Sequence, residues 1–197
     1  MLYKLGRTIT YILSSMLFPI EVRGIKNVPK SGGFILASNH LSNLDPVVLG
    51  IACPRDLYFM AKEQLFENKI FGWIIKNCNA FPVKKGRADL AAIKEAISLL
   101  NQGRVLLIFP EGGRQQTGTL GEAEKGIGFL ASKSEAPIVP AFIRDTDKAL
   151  PVGSKTIKRQ KVRVSFGPQI FIERRMAYQE IGLKTMEAIR HLSNAQN

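Results

Sequence analysis

Cysteine and histidine are scarce, at two each in 197 residues. Cys53 and Cys78 stand alone, with no second Cys or His at metal-ligand spacing, which argues against zinc and against a secreted disulfide framework and favours a reducing cytosol. Acidic residues are also few: 16 against 28 Lys and Arg, a formal net charge of +12. That excess attracts something anionic, whether nucleic acid, an acidic protein or a phospholipid surface. The chain has no Gly-x-Ser-x-Gly elbow, so no serine nucleophile of the hydrolase kind is indicated. Internal repeats, low-complexity tracts and linker-like stretches are missing too, which implies one domain. What is there, 45% hydrophobic and 22% charged residues, suits a chain that buries a substantial core and excludes disorder.

At the N-terminus, Leu2, Leu5, Ile9, Ile12, Leu13, Met16 and Leu17 recur at helical spacing, while Lys4, Arg7, Thr10, Ser14 and Ser15 fall elsewhere around the turn. Residues 1–19 therefore form an amphipathic helix ended by Pro19, followed by a domain over residues 20–197. The helix is too short and too polar along one side to span a bilayer, which takes about 20 apolar residues, and it lacks a small-residue cleavage site. Two readings remain: its stripe lies in a membrane interface, or it packs on the protein's own core.

Downstream, β-type runs at 20–23, 33–37, 57–60, 104–109, 138–143 and 161–166 alternate with helical patterns. The clearest helices run from Arg87 to Asn101, stopped by Gly103, and from about Met176 to Leu192. Strands interleaved with helices predict an α/β fold, a mostly parallel or mixed sheet flanked by helices, with ligand sites at the carboxyl ends of strands. Two strands end in polar chemistry. Phe34 to Ala37 runs into Ser38-Asn39-His40, and Val105 to Phe109 runs into Pro110-Glu111-Gly112-Gly113-Arg114.

His40 and Asp45 stand five positions apart, with Asp45 at a helix start before Pro46. A loop there lets the carboxylate fold back onto the ring, fixing its tautomer and supporting an imidazolium. The plainer reading is a capping Asp beside an unrelated surface histidine. His191, the other histidine, lies on the polar side of the last helix. In the second segment, glycines admit close backbone approach and Arg114 offers a planar fork for phosphate oxygens. The plainer reading is a glycine turn with a solvated Arg.

Asn39-His40 to Asp45 together with Phe109 to Arg114 resemble the two signature blocks of the glycerolipid acyltransferase family, His-x4-Asp and Phe-Pro-Glu-Gly-Thr-Arg. Ala80-Phe81-Pro82-Val83-Lys84 is similar to the block between them, and Pro137-Ile138-Val139-Pro140 to the fourth, preceded by Glu124-Lys125-Gly126. The blocks come in family order over roughly residues 22 to 170 and look most like the compact bacterial members that act on 1-acyl-glycerol 3-phosphate. Gly113 stands where the family usually has Thr, Gln115 where Ser is common, and Lys84 where Arg is frequent. Lys for Arg replaces a bidentate fork with a point charge.

The resemblance implies transfer of a fatty acyl group from acyl carrier protein or coenzyme A, as co-substrate, to the sn-2 hydroxyl of a lysophospholipid acceptor. No cofactor and no metal are implied. His40 would act as base and Asp45 would orient it; Arg114 and Lys84 would hold the acceptor phosphate with Gly112. Glu111 would hydrogen-bond the acceptor's glycerol or brace Arg114. Glycerol 3-phosphate and a lyso-ornithine lipid stay open as alternative acceptors.

The dense apolar stretch from Leu57 to Ile75, with Trp73 between Lys69 and Lys76, suits an acyl tunnel, a bilayer contact or ordinary core. The basic run Lys155, Lys158, Arg159, Lys161 and Arg163 suits anionic headgroups, an acidic carrier protein or a solvated hairpin. A non-catalytic basic module explains the charge but leaves both signature blocks without purpose. That run also has no interleaved aromatics for base stacking, so nucleic acid is not expected. These features place the chain at the cell membrane, peripheral or monotopic on the cytoplasmic face, against anionic phospholipids.

Overall fold

The computed structural model describes residues 2–84, 89–115, 120–173 and 175–195, with the backbone alone at positions 2 and 4. After helix α1 (Leu2–Leu17) come strand β1 (Ile20–Arg23), β2 (Phe34–Ser38), α2 (Asp45–Ala52), β3 (Leu57–Lys62), α3 (Lys69–Asn77) and β4 (Ala80–Val83). The second half holds α4 (Leu90–Asn101), β5 (Val105–Ile108), α5 (Lys125–Ser134), β6 (Ile138–Arg144), the short α6 (Thr146–Ala149), β7 (Val162–Phe166) and α7 (Tyr178–Asn194).

The seven strands form one sheet in the order β1-β7-β6-β2-β5-β3-β4. Among the described residues only the β6–β7 strand pair is antiparallel, so β1 and β7 run against the other five. The sheet is mixed and mostly parallel, as expected. Both of its faces are covered. Phe34 and Leu36 of β2 pack with α2 and Phe18 on one side, while Ile35 and Ala37 pack with α4, α5 and α7 on the other. Burial on both faces is why β2 and β5 read as unbroken apolar runs rather than as alternating ones.

Helix α4 starts where Asp89 accepts the Ala92 N–H at 3.1 Å, a side-chain cap for one of the helix's unpaired donors. Arg87, the expected start of this helix, lies outside the described residues. Helices α3 and α5, which the sequence reading did not delimit, fill the crossovers that parallel strands require.

Helix α1 lies with its stripe outward. Leu5, Ile9, Ile12, Leu13, Met16 and Leu17 are all exposed, Met16 by 70%. The opposite side grips the body: Arg7 Nη2 donates to the carbonyls of Ile51 (3.3 Å) and Cys53 (2.7 Å), and the Tyr3 hydroxyl accepts the Leu57 N–H at 3.0 Å. Burial pushes the Tyr3 phenol up to about 12. The reading in which the stripe packs on the core is therefore overturned; the side chains of Leu2 and Lys4, counted in that pattern, are not among those described.

The apolar stretch divides in the same way. Leu57 is core, whereas Ile70, Phe71, Trp73 and Ile74 of α3 are exposed, Trp73 by 58%. A Cβ added at Gly6 would lie 3.8 Å from Cys78 Sγ, so α1 and the end of α3 are neighbours. Both cysteines are free, and burial raises the Cys53 thiol to about 11.

Candidate active site

Strand β2 is central, and the chain leaves its carboxyl end at Asn39. The Asn39 side chain replaces a strand residue there: Nδ2 donates to Ile143 O at 3.0 Å and Oδ1 accepts the Ile143 N–H at 2.8 Å. These two bonds tie the exit of β2 to β6 and fix where His40 begins.

His40 is held at three points. Its ring Nδ1 lies 2.8 Å from Asp45 Oδ2. Its N–H donates to Glu111 Oε2 at 3.1 Å, and its carbonyl accepts the Gln115 N–H at 2.9 Å. The Phe109 ring stacks on the imidazole with centroids 4.0 Å apart and planes 14° apart.

Asp45 is fully buried at the start of α2 and caps no N–H of that helix. Instead Oδ2 reaches back to accept the N–H groups of Leu41 (2.6 Å) and Ser42 (2.8 Å) as well as the His40 ring. The capping-Asp alternative is thus not what the chain does. An oxygen that accepts two backbone N–H bonds has no room for a proton of its own, so Nδ1 is the donor toward it, and in the neutral imidazole the lone pair then sits on Nε2. Ser42 supports the turn by donating its hydroxyl to Leu150 O at 2.7 Å.

Glu111 follows β5, the neighbour of β2, and is buried. Its Oε1 accepts the Gly121 N–H at 3.0 Å while Oε2 holds the His40 N–H. Burial raises its carboxyl above the ordinary glutamate range, opposed by those two N–H bonds. Both oxygens are occupied by main chain, so Glu111 braces the histidine loop. Arg114 is exposed and has no side-chain partner among the described residues.

Gly112 sits at φ +66°, where an added Cβ would run into the Glu124 carboxylate. That backbone favours glycine. At Gly113 an added Cβ meets nothing, so the threonine usual in the family would be accommodated.

Lys84 ends β4 at the same end of the sheet, but at its edge, three strands from β2. At about 4.8 Å per strand that is roughly 14 Å from the exit of β2. The structure thus brings His40, Asp45, Glu111 and Gly112 together, sets Arg114 at their rim and leaves Lys84 apart. Sequence reasoning assigned no role to Asn39, Phe109 or Gly121; Asn39 and Phe109 lay inside the quoted blocks, and Gly121 carried no signal.

Among the described residues no group of three or more His, Cys, Asp or Glu is placed to hold a metal ion. The arrangement offers a base at Nε2, steadied from behind by a buried carboxylate, at the mouth formed by the ends of β2, β5 and β6.

The sequence profile described as Acyltransferase matches residues 19–144, more than half of the chain. This chain belongs to the acyltransferase family. It is 29% identical over 167 residues to the 1-acyl-sn-glycerol-3-phosphate acyltransferase of Bacillus subtilis, covering 84% of this chain and 81% of that protein. To the enzyme of that name from Streptococcus pneumoniae it is 32% identical over 159 residues, 78% of this chain and 56% of the relative. The crystal structure of the 1-acyl-sn-glycerophosphate acyltransferase from Thermotoga maritima superposes with a TM-score of 0.84 at 23% identity, covering 98% of this chain and 79% of that one. That likeness establishes the α/β fold.

Proposed function

We propose that this chain moves a fatty acyl group from a thioester donor to the sn-2 hydroxyl of 1-acyl-glycerol 3-phosphate, producing phosphatidic acid for phospholipid synthesis. The observation that carries the mechanism is the His40–Asp45 contact, which leaves Nε2 free at a strand end. The acceptor hydroxyl gives its proton to Nε2 as its oxygen attacks the thioester carbonyl. The tetrahedral intermediate then collapses, the C–S bond breaks, and the imidazolium returns the proton to the leaving thiolate. The thioester is already activated, so positioning and one proton transfer suffice and no protein nucleophile is needed. Asp45 supports the imidazolium, Glu111 and Gly112 shape the loop, and Arg114 binds the acceptor phosphate, with Lys84 as a more distant charge.

The outward apolar faces of α1 and α3 support attachment to a membrane that supplies the lipid acceptor, peripherally or monotopically on the cytoplasmic face. No described helix is long and apolar enough to cross a bilayer. The loop before β7 reaches the active-site end of the sheet, where Lys158 N–H donates to Ala149 O at 2.7 Å. Lys161 pairs with Glu21 and Arg163 with Asp145, which leaves Lys155, Lys158 and Arg159 for an acidic carrier protein or the phosphates of coenzyme A.

Mass spectrometry of lipid products after incubation with 1-acyl-glycerol 3-phosphate, glycerol 3-phosphate or a lyso-ornithine lipid, each with both donors, tests the reading. Phosphatidic acid from the first acceptor is expected. Acylation of another acceptor alone would reassign the substrate, and no product with any acceptor would refute acyl transfer.

A further inference from the structure

At the end of the sheet opposite His40, a cleft of about 710 Å³ opens beside α1, and three of its lining residues are arginines: Arg7, Arg55 and Arg104. One acidic residue, Asp56, lines it as well. We propose that this cleft is a second phosphate-binding site, separate from the catalytic mouth, whose ligand is the phosphate of an anionic membrane lipid or a free phosphate.

Two of the three guanidinium groups are fixed before any ligand arrives. Arg55 donates to Pro29 O at 3.1 Å and Gly103 O at 2.7 Å, and its guanidinium carbon lies 5.8 Å from the centre of the Phe34 ring. Arg7 spends both Nη2 bonds on the carbonyls of Ile51 and Cys53, and its Nη1 is 3.9 Å from Asp56 Oδ1, a long and weak pairing. Each guanidinium carries five N–H donors, so both keep donors unspent. Arg104 is exposed, with no side-chain partner among the described residues. Guanidinium groups held by carbonyls lose little further freedom on binding, and their planar forks match phosphate oxygens.

The placement favours a lipid source. Arg7 and the neighbouring Tyr11 belong to α1, whose outer stripe is exposed. If α1 lies in an interface, its flank is at headgroup depth. Arg104 precedes β5 and Glu111 follows it, so about seven residues at 3.3 Å each put the cleft roughly 20 Å from the catalytic loop. The acyl-transfer reading is not needed for this site; only the lipid source rests on the proposed membrane orientation.

The test follows the arginine Nε–H resonances of the full 15N-labelled chain while inorganic phosphate, phosphatidylglycerol bicelles or phosphatidylcholine bicelles are titrated separately. The Arg104 resonance should move saturably, also in an Arg114→Ala background. In Arg104→Gln, which replaces an exposed guanidinium by a neutral amide, the remaining Arg55 response should need about fivefold more ligand, the size expected for one surface charge. Its turnover on detergent-dispersed acceptor should be unchanged. Movement with inorganic phosphate supports the site with soluble phosphate as a source; movement with phosphatidylglycerol bicelles alone supports it with the lipid headgroup. No movement of Arg104 with either, or a phosphate response confined to Arg114, overturns the proposal. An inactive enzyme whose Arg104 resonance still responds would sink acyl transfer and leave this site standing.

Discussion

Asp45→Asn separates a supporting carboxylate from a structural one, because the structure shows what an amide would meet. Oδ2 carries three contacts, the His40 ring and the N–H groups of Leu41 and Ser42, while the buried Oδ1 has no hydrogen-bond partner among the described residues. An asparagine oxygen placed at the Oδ2 position keeps all three contacts, and the NH2 falls where nothing was bonded before. The reverse orientation would aim the NH2 group at the two backbone N–H donors and the Nδ1–H of His40 and is disfavoured. The variant leaves a buried amide unpartnered, at about 1–3 kcal/mol, but it also removes a buried charge, whose own desolvation offsets part of that cost. Stability should therefore change by no more than about 1–2 kcal/mol, roughly 2–8 °C in Tm for a domain of this size. What disappears is the negative charge facing the imidazolium. The rate should fall by about 10²–10⁴, the range general-base assistance supplies. Single-turnover acylation of detergent-dispersed 1-acyl-glycerol 3-phosphate, with a thermal melt on the same sample, reads both quantities. Turnover within about fivefold of wild type in a folded Asp45→Asn variant, where the rate argument above asks for at least a hundredfold loss, would refute the role given to Asp45.

Five further substitutions follow from the same geometry. His40→Ala should abolish turnover, by about 10²–10⁴ or more, with circular dichroism and melting close to wild type; a folded, active variant would remove the base. Glu111→Gln should lose about 1–2 kcal/mol, because one of the two N–H groups now bonded to carboxylate would face an NH2 group. Burial raises the folded titration of Glu111, so its contribution is greatest in acid and declines as pH rises through that raised value. The stability gap between wild type and Glu111→Gln should therefore narrow from pH 4 upward in denaturant titrations, and a gap that widens contradicts the assignment. Arg114→Ala should raise KM for the acceptor well beyond any change for the donor, and equal effects would place its contact elsewhere. Ile9→Lys and Met16→Lys change side chains that touch little of the body, so they should weaken co-sedimentation with anionic vesicles by about tenfold each while leaving Tm within about 1 °C.

Deleting residues 1–18 would probe α1 less cleanly than these point changes, because the helix is tied to the body through its polar side. Period and composition revealed the apolar stripe of α1, but a helical period states only that two sides differ. What turned the stripe outward was polar: Arg7 on the carbonyls of Ile51 and Cys53 and Tyr3 on the Leu57 N–H, with Phe18 closing the core beneath. Removing the helix would strip those anchors, so lost vesicle binding after truncation would not distinguish lost insertion from a damaged domain. The active site behaved similarly. His40 and Asp45 lie in one short loop, where local spacing constrains distance, and their approach was legible. For Glu111 the family resemblance implies a hydrogen bond to the acceptor's glycerol or a brace for Arg114, whereas its carboxylate is filled by His40 and Gly121 main chain, contacts 71 and 10 residues away. Lys84 shows a limit of a different kind, since a motif fixes its place in the chain while the strand order, with β4 at the sheet edge, fixes its distance from His40. Strand order depends on which crossovers pass over which face, a property of the whole packing that no single segment carries. Residues whose partners are local could thus be assigned from sequence, whereas the bracing of His40 from β5 and β6 became visible only once those strands were placed on either side of β2.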